Sequence, residues 1–223
     1  MPVLIFPAIL AGAVGVLLGN RNLSRALPLS GRSLLFAWGG LAAISFLLLF
    51  PFNLAGAATI AGAIVAVAVL AGGLLSDLRE REVDILPLFG GAVVAAAGPL
   101  IDRADSIGVA GALCGLFLSL GVYAFGRLYA RLRGLGLDPE TGERLDPLGA
   151  GDIALLTVLG ALVAPVAGAF AALPILIGGF ALHVIGTLLL LLVRRLRGRD
   201  GSLGDPVELA PFLVAATLLV LYV

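Results

Sequence analysis

Long apolar runs alternate with short, arginine-bearing polar breaks along the whole chain. An α-helix needs about 20 mostly apolar residues to cross roughly 30 Å of hydrocarbon, so this pattern predicts membrane spans rather than the core of a soluble domain. Cutting at the charged and Pro/Gly breaks gives eight spans, approximately Val3 to Leu18, Leu34 to Phe50, Leu54 to Leu75, Ile85 to Ile101, Ile107 to Phe125, Leu148 to Pro165, Ala169 to Val193 and Val207 to Val223. The first has no basic residue before its apolar run and no clear small-residue cleavage site, so a span is expected there and not a signal peptide. The longest polar stretch, "RLRGLGLDPETGERLDP", carries the turn signals Asp138-Pro139 and Thr141-Gly142 and is too short to be a domain. With no internal repeat, the predicted fold is all-α: a polytopic membrane helix bundle, one membrane domain over residues 1–223, with no soluble domain.

Composition sharpens this picture. Of 223 residues 61% are hydrophobic and 13% charged, against the quarter or so charged that a soluble domain carries. Fourteen basic and fourteen acidic residues balance, and together with the apolar content this excludes a disordered, collagen-like or nucleic-acid-binding chain. Every basic residue is arginine. Thirteen of them fall after spans one, three, five and seven, at Arg21, Arg25, Arg32, Arg79, Arg81, Arg127, Arg131, Arg133, Arg144, Arg194, Arg195, Arg197 and Arg199; Arg103 alone falls in an alternate loop. Short cytoplasmic loops accumulate positive charge, so the odd-numbered loops are expected inside the cell membrane and both termini outside. The single cysteine, Cys114, permits neither an intrachain disulfide nor a four-cysteine zinc module.

Most acids sit in loops where water solvates them, but two do not. Asp77 ends the apolar run of span three in "GLLSDLREREVDILP", and Asp152 opens span six in "DPLGAGDIALLTVLGALVAP". Span three runs outside to inside and span six inside to outside, so both carboxyls reach the same cytoplasmic boundary. A carboxylate in partly dehydrated surroundings is costly and points to function. Two carboxyls held close in low dielectric cannot both ionise, so such a pair shares one proton over a wide pH range. The ionised member can take a proton from water while the protonated member polarises a peptide carbonyl, which is aspartic protease chemistry. Gly149 and Gly151 remove side chains beside Asp152, giving the turn freedom and letting another backbone approach. Each motif alone has a plainer meaning: Asp152 as a helix N-terminal cap, and "DLREREVD" as a solvated loop in which Glu82 and Asp84 are alternative acids. Their conjunction at one depth favours the dyad.

At these stretches the chain resembles the type IV prepilin peptidases and archaeal preflagellin peptidases, membrane aspartic proteases of the GxGD kind. "SDLREREV" from Ser76 to Val83 is similar to the preflagellin peptidase stretch in which the first catalytic Asp is followed by Arg-x-Arg-Glu and an aliphatic residue; "GAGD" from Gly149 to Asp152, with "LGAL" at Leu159 to Leu162, is similar to the second motif. "LAPFLVAA" from Leu209 to Ala216 resembles the Pro-Phe segment opening the last helix of many relatives. The resemblance implies catalytic Asp77 and Asp152, supported by Arg79, Arg81, Glu82, Gly149 and Gly151, no cofactor, and prepilin-like precursors with a basic leader and an apolar helix as partners in lipid. Many relatives carry Lys two residues after the second Asp, where this chain has Ala154, and the cysteine module associated with N-methylation is missing, so peptidase activity without methyltransferase is expected. The first two spans have no clear counterpart in the shorter preflagellin peptidases.

Other classes leave different marks. A proton- or cation-coupled transporter would place its acids near mid-membrane on broken helices in corresponding halves. A presenilin-like protease would have Tyr before the first Asp and Pro-Ala-Leu near the C-terminus, where this chain has Ser76 and Ala210-Pro211-Phe212. A degenerate, noncatalytic relative would keep the same helices. A zinc site would need acids alone, which zinc rarely accepts, so no metal is expected. His183, the only histidine, lies mid-span with no acidic neighbour on its own helix and is expected to bond a backbone carbonyl or a nearby helix rather than relay protons.

Overall fold

The computed structural model describes residues 31–53, 55–80, 85–133, 148–196 and 208–223, with side chains at all of these except 31–38, 75–80 and 133. The expected first span, most of the arginine-bearing loops, and Arg81, Glu82 and Asp84 lie outside the described residues. Seven α-helices occur among the described residues, with no strand: α1 Gly31–Leu49, α2 Ala57–Glu80, α3 Ile85–Arg103, α4 Ile107–Arg133, α5 Ala150–Ala167, α6 Ala172–Leu196 and α7 Ala210–Tyr222, with a 3-10 turn at Phe50–Phe52 after α1. Five of them, α2 to α6, are long and apolar enough to cross a membrane. The apolar segment Gly39–Phe52 and α7 are shorter.

Helix α5 is the axis of the bundle. It is apolar all round, and a helix without a polar face belongs inside. Every residue from Ala154 to Ala164 is buried, and α2, α3, α4, α6 and α7 all touch it. Among apolar neighbours there is little hydrophobic drive, so packing relies on small residues that let backbones close. A Cβ on Gly111 of α4 would land on the Gly160 carbonyl of α5, and one on Gly160 would land on the Gly111 carbonyl. Between α2 and α3, a Cβ on Gly98 would lie 2.6 Å from Thr59 Cα and one on Gly62 would lie 2.7 Å from the Val94 carbonyl oxygen. These contacts fix the register: 62 against 94 and 59 against 98 make α2 and α3 antiparallel, while 111 against 160 and 115 against 156 do the same for α4 and α5. The outer surface is greasy. Phe117 is 66% and Phe125 71% exposed, as befits side chains facing lipid tails rather than water.

Each of the seven expected spans that fall among the described residues carries a helix, five of them long and apolar enough to cross a membrane, but several ends move. Helix α4 continues through Arg133, so Arg127 and Arg131 stand on a helix and not in a loop. Its 27 residues reach about 40 Å, longer than the hydrocarbon, which lets the charged end leave the apolar zone without unwinding. Arg127 donates to the Tyr123 hydroxyl at 2.7 Å and lies over its ring, shielding the guanidinium where the helix emerges. Helix α5 stops at Gly168, whose φ of +93° suits only glycine, and whose N–H donates to the Ala164 carbonyl at 2.9 Å. At the other end of the sequence, the Tyr222 hydroxyl donates to the Leu47 carbonyl at 2.7 Å and fastens α7 to α1.

Asp102, just past the expected end of its span, stands on the last turn of α3 rather than in a loop. Its carboxylate accepts the Ala58 N–H at 3.1 Å, the Thr59 N–H at 2.7 Å and the Thr59 hydroxyl at 2.7 Å. It caps the start of α2 from the end of α3, satisfying amide groups that have no partner within their own helix. Gly56 makes the room, because a Cβ there would fall on the carboxylate. Asp102→Ala should therefore lower the thermal midpoint of the purified protein, with Asp102→Asn intermediate; an unchanged midpoint in both would mean that the cap contributes nothing to stability.

Candidate functional site

Asp152 is the third residue of α5 and Asp77 lies in the last turn of α2. Their relation follows from one level of the bundle. A Cβ on Gly91 of α3 would meet Val158 Cγ2 of α5 at 3.4 Å and Val69 Cβ of α2 at 3.5 Å, so residues 69, 91 and 158 share a depth. Helices α3 and α4 are joined by the short turn 104–106 and run antiparallel, so α5 runs with α3 and against α2. From that level, residue 77 is about 12 Å along α2 and Asp152 about 9 Å back along α5, both toward the same end. The register thus brings the two backbone positions to one end of the bundle, hereafter the Asp152 end. Asp102 and Arg103 mark the opposite end.

The local turn is built around Asp152. Leu148 is buried and anchors the approach, Gly149 is extended at φ −72° and ψ 156°, and the helix begins at Ala150. The Asp152 carboxylate turns back to accept the Gly149 N–H at 3.2 Å. This is one half of a capping box; the other half needs a side chain that glycine lacks. Two expectations are corrected here. Gly149 uses none of glycine's conformational freedom, since any residue adopts that backbone, and an added Cβ would meet Asp152 Oδ2 at an ordinary contact distance of 3.4 Å. The helix also starts two residues later than expected, which leaves Asp152 nearer the helix end, yet still half-buried.

Sequence reasoning missed the groups around this acid. Asp152 lies close enough to His183 of α6 and to Glu208, just before α7, for their charges to interact. The His183 ring stands edge-on to Phe212 of α7, with centroids 5.3 Å apart and planes at 90°. Its Nδ1 is buried with no hydrogen-bond partner among the described residues, so the expected bond to a backbone carbonyl or a nearby helix is not made by this nitrogen, and the Thr187 hydroxyl one turn further along α6 is likewise without one. The acid near His183, which has none on its own helix, is Asp152 of α5. Glu208 and Phe212 flank the Ala210-Pro211 start of α7, so the C-terminal Pro-Phe segment borders this end. Arg79 is in the last turn of α2, and Gly151 in the first turn of α5.

At the opposite end a cleft of about 240 Å³ is lined by Gly56, Thr59, Pro99, Arg103, Asp105 and Pro165 among others. It holds none of the residues singled out for chemistry. Comparison with protein-family models, with curated proteins and with solved structures finds no match, so the chemistry of the Asp152 end rests on its own residues.

Proposed function

We propose that the chain is an intramembrane aspartic endopeptidase that removes the leader of prepilin-like precursors at the cytoplasmic face of the cell membrane. In this reading it crosses the membrane eight times with both termini outside, and Asp77 and Asp152 form the catalytic pair. The observation that carries it is the common end of residue 77 and Asp152 on antiparallel helices, with Asp152 half-buried in the first turn of α5. One carboxylate takes a proton from water as the oxygen attacks the scissile carbonyl, and the protonated partner donates to the developing oxyanion. The proton taken from water then passes to the leaving amine as the C–N bond breaks, and the gem-diol hydroxyl returns its proton to the partner carboxylate.

The depth of the site selects the substrate. A charged leader stays in water while the apolar helix behind it enters the bilayer, which sets their junction beside the pair. The scissile peptide must first leave helical geometry, because a helix buries its carbonyls in i to i+4 bonds, and a Gly before the cut eases that unwinding. Purified protein in detergent should release the leader from such a precursor with a single cut near the junction. Changing the substrate Gly to Val should stop cleavage without preventing membrane insertion. Intact precursor, or cuts scattered through its apolar segment, would contradict the reading.

A further inference from the structure

Two polar atoms at the Asp152 end are left unexplained by the dyad. His183 Nδ1 and Thr187 Oγ1 lie one turn apart on α6, each buried and each without a hydrogen-bond partner among the described residues. Leaving such groups dry is costly, and native proteins usually satisfy them with a protein group or a held water. Phe212 closes one side of the imidazole edge-on and restricts how the ring can turn. Helix register places both on the same side: Gly160 of α5 faces Ala172 of α6, so following both helices away from that contact brings His183 to about one turn and Thr187 to about two turns beyond the depth of Asp152, whose carboxylate turns back toward that end. No direct hydrogen bond joins His183 to Asp152, and polar groups that interact beyond bonding distance are commonly linked through water.

We infer that His183 is a positioning residue for Asp152: its Nδ1 and the Thr187 hydroxyl hold a water that hydrogen-bonds the Asp152 carboxyl and fixes its orientation toward the scissile peptide. The arrangement rests on the protease reading for its purpose but not for its geometry. A histidine serves better than an amide here because the ring is rigid and is already braced by Phe212. Its second nitrogen can bond a separate group while Nδ1 stays on the water. Thr187 supplies the second partner that an ordered buried water needs.

His183 is the only histidine in the chain, so its two ring nitrogens give unambiguous signals in protein labelled with ¹⁵N-histidine. At fixed pH, Asp152→Asn and Thr187→Val should each move the Nδ1 resonance of the intact protein in detergent, while Asp105→Asn at the opposite end should leave it in place. An Nδ1 resonance indifferent to both would overturn the water-linked arrangement, whether or not the protein cleaves anything. In the cleavage assay, His183→Leu should lower kcat roughly tenfold, the scale of one lost hydrogen bond, with KM unchanged, and His183→Gln should recover part of the loss. A rise in KM alone, or no recovery with Gln, would assign His183 to substrate binding or packing and contradict the positioning role. If the resonance responds as expected and no precursor is cut by wild-type protein, the proteolytic reading fails and the cluster stands.

Discussion

Asp152→Asn and Asp77→Asn should each leave the protein folded and membrane-inserted while reducing leader cleavage about 100-fold or more, the scale expected when a general acid or base is lost. The first substitution also separates two meanings of one residue. Asp152 accepts the Gly149 N–H, so its carboxylate contributes to starting α5 whatever else it does. The Asn side-chain oxygen can accept the same bond, so helix capping survives the change. What Asn cannot do is share or transfer the proton. If the thermal midpoint stays near wild type and cleavage collapses, the acid is chemical; if cleavage also persists, Asp152 is only a cap. For Asp77 the alternative is Asp84, and a dead Asp84→Asn beside an active Asp77→Asn would move the first acid into the following segment.

The largest effect on folding is expected from the contact between α4 and α5. Gly111→Val would drive a side chain into the Gly160 carbonyl and the Ala164 methyl, neither of which can yield without parting the two helices. Overpacking of this kind costs about 1–3 kcal/mol or more, and here it falls on the helix that five others touch. Gly121→Val is the matched control, since it lies on the same helix with nothing within 4 Å of its would-be Cβ. Thermal denaturation in detergent should show a marked loss for Gly111→Val and little for Gly121→Val, because both pay the same β-branched helix propensity. Equal midpoints would mean that the helices do not approach at Gly111.

Much of this architecture was legible in the hydropathy pattern, for a physical reason: the bilayer sets one length for every span, so apolar runs reveal position even when their ends stay vague. The ends were vague because charge was read as the stop. Arg127, Arg131 and Arg133 continue α4, since arginine is a good helix former and can reach polar surroundings from a helix end. That residues 77 and 152 share one end of the bundle was legible from the alternating direction of successive spans. The groups beside Asp152 were not, because they depend on packing between helices: His183 of α6 and Glu208, just before α7, both come near Asp152 of α5 from distant parts of the sequence. Asp102 escaped for the same reason, its partners Ala58 and Thr59 being 44 and 43 residues away in sequence. Gly149 was misread in detail, since its backbone is extended and needs none of the freedom expected of the turn.

Everything proposed about chemistry depends on Asp77 and Asp152 working as one pair, and chemical cross-linking measures that directly. In a Cys114→Ser background, Asp77→Cys with Asp152→Cys, treated in membranes with a short bifunctional thiol reagent, should yield a linked peptide joining α2 to α5 on mass analysis. Asp102→Cys with Asp152→Cys, whose positions lie at opposite ends of the bundle, should yield none. A link in the second pair, or its absence in the first while both cysteines still react singly, would contradict a shared aspartate site.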